Sequence, residues 1–172
     1  MNKPPIQNSP PSTTSTKQVY LVEQNSDDIA LARRAISTSG YTVYLEVLQT
    51  SRALKEAISE SETTTRPDLL LIDLHLDTSS RDAESIFNLI RRLRQTPLTE
   101  HTPIVVIGSP GREHEILRCY AAGASSVIQK PVVFTEYATL LKEVCHYWLN
   151  ISIVPDYRYI KPVNPLISEA SA

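Results

Sequence analysis

Between residues 18 and 150, short apolar runs alternate with segments whose apolar residues recur every three or four positions. The runs Gln18–Glu23 (QVYLVE), Tyr41–Leu48 (YTVYLEVL), Leu69–Asp73 (LLLID), Ile104–Ile107 and Ser126–Gln129 read as strands. Two of them, introduced by Pro67 and Pro103, are almost uninterrupted apolar sequence. Such runs belong to strands covered on both faces, as in a parallel sheet. Leu69, Leu70, Leu71, Ile72, Val105, Val106 and Ile107 are therefore the expected core. The helical pattern predicts helices over about 27–38, 51–59, 83–94 and 113–121, and from about 135 onward. Ser26-Asp27-Asp28 offers an N-cap cluster for the first, and Gly40 and Gly123 offer C-terminal stops. In the third, Ile86, Leu89, Ile90 and Leu93 share one face. In the last, Tyr137, Leu140, Leu141, Val144 and Trp148 do so.

Five strands alternating with five helices imply an α/β fold with a parallel sheet and helices on both faces. Right-handed crossovers leave few topologies. The expectation is a flavodoxin-like (βα)₅ doubly wound sheet with strand order 2-1-3-4-5. Four of the twelve prolines fall in the first eleven residues, among Ser, Thr and Asn. Residues 1–17 are expected to be a disordered tail, because such a segment buries too little apolar surface to offset its ordering entropy. Residues 18–150 form the expected domain. Residues 151–172 read as a C-terminal extension, too short to be an output domain, in which Tyr157, Tyr159, Ile160 and Leu166 are available for docking.

The chain has 172 residues and a net charge of −2. Without a basic excess, nucleic-acid binding is not expected. No apolar run approaches the roughly 20 residues that span a bilayer, so no membrane association is expected. The two cysteines, Cys119 and Cys145, lack metal-ligand spacing and read as packing thiols in a reducing cytoplasm. Arg91, Arg92 and Arg94 read as the solvated end of a helix, favourable to its dipole.

In open α/β sheets, function gathers outside the carboxyl ends of the strands. Strand one ends at Glu23-Gln24, strand three at Asp73, strand four at Gly108-Ser109 and strand five at Lys130-Pro131. The strand order brings Glu23, Asp73, Ser109 and Lys130 into one shallow pocket. A carboxylate beside an ammonium, with a second acid nearby, can bind a divalent cation and accept a phosphoryl group. Taken singly, each has a plainer reading, with Asp73 as a loop cap and Lys130 as a solvated charge. Their convergence from separate strands favours the functional one.

The blocks VYLVEQNSDD, PDLLLIDLHL, PIVVIGS and AAGASSVIQKP resemble the CheY-like receiver domain of two-component response regulators, in order and in spacing, over about residues 18–149. The ending HYWLNISIVP resembles the phytochrome-associated single-domain regulators of cyanobacteria. The resemblance implies a histidine-kinase partner, possible coupling to a phytochrome-like kinase, phosphorylation of Asp73, contact of Lys130 with the phosphoryl group, and Mg²⁺. Glu23 matches the first acid of the family's metal-binding pair. His75 matches the position whose backbone carbonyl meets the metal.

The departures from the family pattern are specific. The second acid is Gln24, whose neutral amide weakens a site for a hard dication. The hydroxyl residue ending strand four is Gly108, with Ser109 one position late and so on the other face. The aromatic switch position of strand five is Val127. The loop Asp77-Thr78-Ser79-Ser80-Arg81 is longer than the family's by about two residues and lacks its Pro and Gly.

The sequence thus describes an atypical single-domain receiver, not an enzyme, in phosphorelay signalling. Its Mg²⁺ binding is expected to be weak or absent, its phosphorylation slow or absent, and Asp73 to pair with Lys130. On this reading Gln24→Asp should tighten Mg²⁺ binding, and Gly108→Thr should be needed to restore a switch. The alternative is a phosphorylation-independent pseudo-receiver serving as a protein-interaction adaptor. A haloacid-dehalogenase-type phosphatase needs an acid where His75 stands. A flavin-binding flavodoxin needs a phosphate loop where acidic 24–28 stands. The expected partners are the kinase, a downstream protein and a second copy, joined through the last strand and helix. The basis for self-association is Cys145-His146-Tyr147-Trp148-Leu149, followed by β-prone Asn150–Val154.

Overall fold

The structure, a computed structural model, describes residues 16–59, 66–76, 85–109, 111 and 113–155. Strands and helices alternate: β1 (Lys17–Val22), α1 (Ser26–Ser37), β2 (Val43–Leu48), α2 (Ser51–Ser59), β3 (Leu69–Asp73), α3 (Ile86–Gln95), β4 (Ile104–Gly108), α4 (Glu113–Ala122), β5 (Ser126–Gln129) and α5 (Phe134–His146). All strand pairs are parallel, in the order β2-β1-β3-β4-β5 expected from the sequence. Val22 pairs with Ile72, and Ile72 with Val106. The carboxyl ends of the three central strands therefore open at one level.

Alternate residues of the central strands feed two separate cores. Tyr20, Val22, Leu70, Ile72, Ile104 and Val106 pack with Leu54 of α2, with Phe87, Leu89, Ile90 and Leu93 of α3, and with Cys119 of α4. Val19, Leu21, Leu69, Leu71, Val105 and Ile107 pack under α1 and α5, against Leu31, Ala35, Ile36, Tyr137, Leu141, Val144 and Cys145. The seven predicted core residues are 0–3% exposed. Each such side chain contributes roughly 1.5–3 kcal/mol through burial. Both cysteines are buried. Burial pushes the Cys145 thiol up to about 12, so it is protonated and packs as an apolar group.

Several local readings change. Helix α1 is capped by Asn25, whose side-chain oxygen accepts the Asp27 and Asp28 N–H groups, and not by the Ser26-Asp27-Asp28 cluster. The segment Tyr147–Ile151 is not extended. It continues α5 as a π-helical turn, so Asn150 and Ile151 are helical. Leu140 and Trp148 are only partly buried, at the edge of the second core. Arg91 and Arg92 are exposed, but Arg94 is not a solvated helix end. Its guanidinium donates to the carbonyls of Thr99, Glu100, Thr102 and Gly123 and to Ser125 Oγ, tying α3 to the loops around β4 and β5. The proposed tail (apart from residues 16 and 17), the loop at 77–81, the start of the third helix at 83 and 84, and Tyr157, Tyr159, Ile160 and Leu166 lie outside the described residues. Among the described residues, no helix is long and apolar enough to cross a membrane.

Candidate functional site at the carboxyl end of the sheet

Glu23 follows β1 and is 3% exposed. One carboxylate oxygen accepts the Asn25 N–H at 2.8 Å, and the other lies 3.5 Å from Lys130 Nζ. Asp73 closes β3 and is half-buried. Its Oδ2 accepts the His75 N–H at 2.8 Å. The His75 side chain reaches across to β4, with Nε2 3.2 Å from the Ser109 carbonyl oxygen. Lys130 leaves β5 with its N–H donating to the Gly108 carbonyl at 2.8 Å. The expected gathering of Glu23, Asp73 and Lys130 is present, with His75 and Ser109 on its rim.

The pairing inside this pocket differs from the expectation. Lys130 forms its ion pairs with Asp28 and Glu23, and Asp73 acts on it only at longer range. The sequence places Asp28 in the N-cap cluster of the first helix, outside the pocket residues. Asn25 performs the capping, which places Asp28 in the first turn with its carboxylate free to turn inward. Beneath the ammonium lies the Tyr137 ring, its centroid 5.2 Å from Nζ. Asp28 and Tyr137 are the members of this site that sequence reasoning missed. The one available signal was Asn25, an N-cap residue as good as the Ser and Asp that follow it, so the cap position could not be chosen from residue type.

These environments shift the titrations. Burial raises both acids above their ordinary values. For Glu23 this is partly offset by the Asn25 N–H and Lys130, and reinforced by the charges of Asp73 and Asp28. For Asp73 the His75 N–H and Lys130 oppose the rise, and Asp28 adds to it. Burial pulls Lys130 down, but the hydrogen bond it donates to Asp28 and the charges of Glu23, Asp28 and Asp73 outweigh it, for a net rise.

A carboxylate that holds its proton more tightly when folded lowers stability as pH rises through its folded value. In divalent-free buffer, Asp73→Asn should therefore be more stable than the wild type at neutral pH. That advantage should vanish below the ordinary carboxylate range. Chemical denaturation at both pH values measures it, and equal stability at neutral pH would refute the burial penalty.

The described carboxylates do not assemble a ready-made divalent site. Both Glu23 oxygens are engaged, Gln24 is exposed and neutral, and Asp28 is turned to Lys130. Among the described residues, no three His, Cys, Asp or Glu side chains are grouped to hold a metal.

The switch positions also depart from simple absence. A Cβ on Gly108 would lie 2.4 Å from the Leu74 Cβ. The Leu74 N–H donates to the Ile107 carbonyl at 2.9 Å, carrying the β3–β4 pairing one step past Asp73 and pressing Leu74 against Gly108. A hydroxyl residue at 108 is thus sterically excluded while Leu74 holds this position, so Gly108→Thr, the change the sequence makes necessary for a switch, does not fit without moving Leu74. Val127 is partly buried, and its N–H donates to the hydroxyl of Tyr120 at 3.2 Å. The aromatic group hydrogen-bonded to β5 at this position is Tyr120 of α4.

Comparison with known proteins gives a consistent result. The family described as response regulator receiver domain matches residues 19–142. The probable methanogenesis regulatory protein FilR2 of Methanothrix harundinacea is 26% identical over 134 residues, covering 77% of this chain and 83% of that protein. The crystal structure of the phosphorylated cyanobacterial phytochrome response regulator RcpA superposes with a TM-score of 0.74 at 22% identity, over 83% of this chain and 100% of that one. The Mn²⁺-bound response regulator Rcp1 does so at 0.71 and 22%, over 81% and 99%. At these identities the two structural likenesses are likenesses of fold.

Proposed function

This chain belongs to the response regulator receiver family, and on that premise we propose that it is an atypical receiver whose Asp73 is a slow phosphoacceptor, served by a histidine kinase. The supporting observation is Asp73 itself. It ends the central strand, half-buried, with only Oδ2 engaged among the described residues and an ammonium close by. In the step proposed, an Asp73 oxygen attacks the phosphorus of the donor. The bond from phosphorus to the donor's leaving atom breaks, and that atom leaves with the bonding pair. The charge on the transferring oxygens falls within the field of Lys130. Divalent-ion dependence is weak in this reading, because Gln24 supplies no charge. RcpA is by name a phytochrome response regulator, which supports a phytochrome-like kinase upstream.

Output passes to a downstream protein, and a second copy pairs through β5, α5 and the turn that extends α5. Val132, Val133, Phe134, Tyr147 and Ile151 offer exposed apolar surface along this side. Trp148, half-buried, is not consumed by the core. The adaptor reading keeps one specific support, the contact of Leu74 with Gly108, which removes the hydroxyl partner for a phosphoryl group.

Intact mass after acetyl phosphate with Mg²⁺ decides between them. One phosphoryl group, gained slowly, absent in Asp73→Asn and accompanied by little change in the amide spectrum around Val127, is the expected result. No gain at all would leave the phosphorylation-independent adaptor.

A further inference from the structure

The acid that the sequence lacks beside Glu23 is present elsewhere in the pocket. We propose that Asp28 is the positioning residue for Lys130, holding the ammonium as the pocket's built-in cation and away from Asp73. Lys130 Nζ is ion-paired to Asp28 and lies 3.5 Å from Glu23, and these side chains are 20%, 18% and 4% exposed. Asp73 is outside ion-pair distance of the same ammonium. The Tyr137 ring closes the remaining side.

Three carboxylates and one ammonium share this partly dry space. A pair so shielded is screened far less than a surface pair, and removing one member strands the other. The arrangement explains how position 24 tolerates a neutral amide. The counter-charge to Lys130 comes from the first turn of α1, where Asn25 has taken over the cap. It also accounts for the lack of a ready-made divalent site among the described residues, since the ammonium already neutralises the acids that an ion would use.

The proposal rests on the phosphoacceptor reading only in naming what Lys130 is held away from. Its test uses no phosphoryl donor, so failure to label Asp73 would not bear on it. The full chain with ¹⁵N-labelled lysine should show a slowly exchanging ammonium signal, assigned to Lys130 by its absence in Lys130→Met. That signal should be lost in Asp28→Asn, recovered in Asp28→Glu and unaffected by Gln24→Ala. Independently, Mn²⁺ titration followed by paramagnetic broadening of the amides near Asp73 should show tighter binding in Lys130→Met. The gain should be at least about tenfold, the effect of removing one unit charge at short range in a partly desolvated pocket. A signal that survives Asp28→Asn, or equal Mn²⁺ affinity in Lys130→Met and the wild type, overturns the proposal.

Discussion

Gly108→Ala should unfold more easily than the wild type by about 2–3 kcal/mol, the range for forcing one extra methyl into a packed interior. For a chain of this length, that lowers the melting temperature by roughly 5–10 °C. The reason is local and asymmetric. The new Cβ would stand 2.4 Å from the Leu74 Cβ, an atom too near the backbone to swing aside, and Leu74 is fixed by its N–H bond to the Ile107 carbonyl. Gly108→Thr should cost more, since it adds two heavy atoms beyond the same clash. The diagnostic measurement is a double-mutant cycle. Leu74→Gly alone loses a buried side chain and is destabilising, but in that background Gly108→Ala should be nearly free. A coupling energy of about 1–3 kcal/mol is expected for residues in such contact. Strictly additive effects would mean that the strand ends can part, and that a hydroxyl at 108 is admissible after all.

Arg94→Ala is expected to lose roughly 3 kcal/mol or more. Its guanidinium is the common donor for four carbonyl oxygens and one hydroxyl, contributed by the segment 99–102 and by Gly123 and Ser125. Hydrogen bonds to a charged donor each contribute about 1.5–3 kcal/mol, and a stranded carbonyl costs a comparable amount where water cannot replace the donor. Burial draws this guanidinium below its ordinary value with no opposing contribution from an acid, consistent with a cation held by neutral oxygens. Arg94→Lys should recover little, because one ammonium cannot span the planar fork. Gly123 reinforces the arrangement. It has φ +108, and a Cβ there would meet the Arg94 side chain at 2.8 Å. Urea denaturation of the two Arg94 variants checks the expectation. A loss below about 1 kcal/mol for Arg94→Ala would show that solvent replaces the cage.

Most of the sheet was legible because its strands announce themselves. Leu69–Ile72 and Ile104–Ile107 have no polar face to misread, and Pro67 and Pro103 mark where each run begins. The positions of Glu23, Asp73 and Lys130 followed from strand order alone. What escaped was set by side-chain direction. Whether Asp28 faces solvent or the pocket depends on which residue caps α1, a shift of one position that composition does not reveal. Arg94 looked like its neighbours Arg91 and Arg92, because nothing in a run of arginines says which one lies over the β4 and β5 loops. Gly108 read as a missing hydroxyl, when the close approach of Leu74 leaves no room for any side chain. Asn150 and Ile151 look extended by propensity, but the momentum of α5 carries them into helix, an instance of context overriding local preference.

The division into two cores bears on how the chain is assembled in time. The face made by Val19, Leu21, Leu69, Leu71, Val105 and Ile107 is roofed by α1 and α5, one near the start of the chain and the other near its end. The contacts that fasten the two ends of that roof join Lys130 to Glu23 and Tyr41 to His146, over separations of 107 and 105 residues. Loops of that length close late, because their entropy must be lost before any contact repays it. A nascent chain that has emerged only as far as β5 carries α1 as half a roof. The opposite face, roofed by α2, α3 and α4, already has all its helices. The two sides of one sheet thus come of age at different moments of synthesis, and the ion pairs of the pocket belong to the later one.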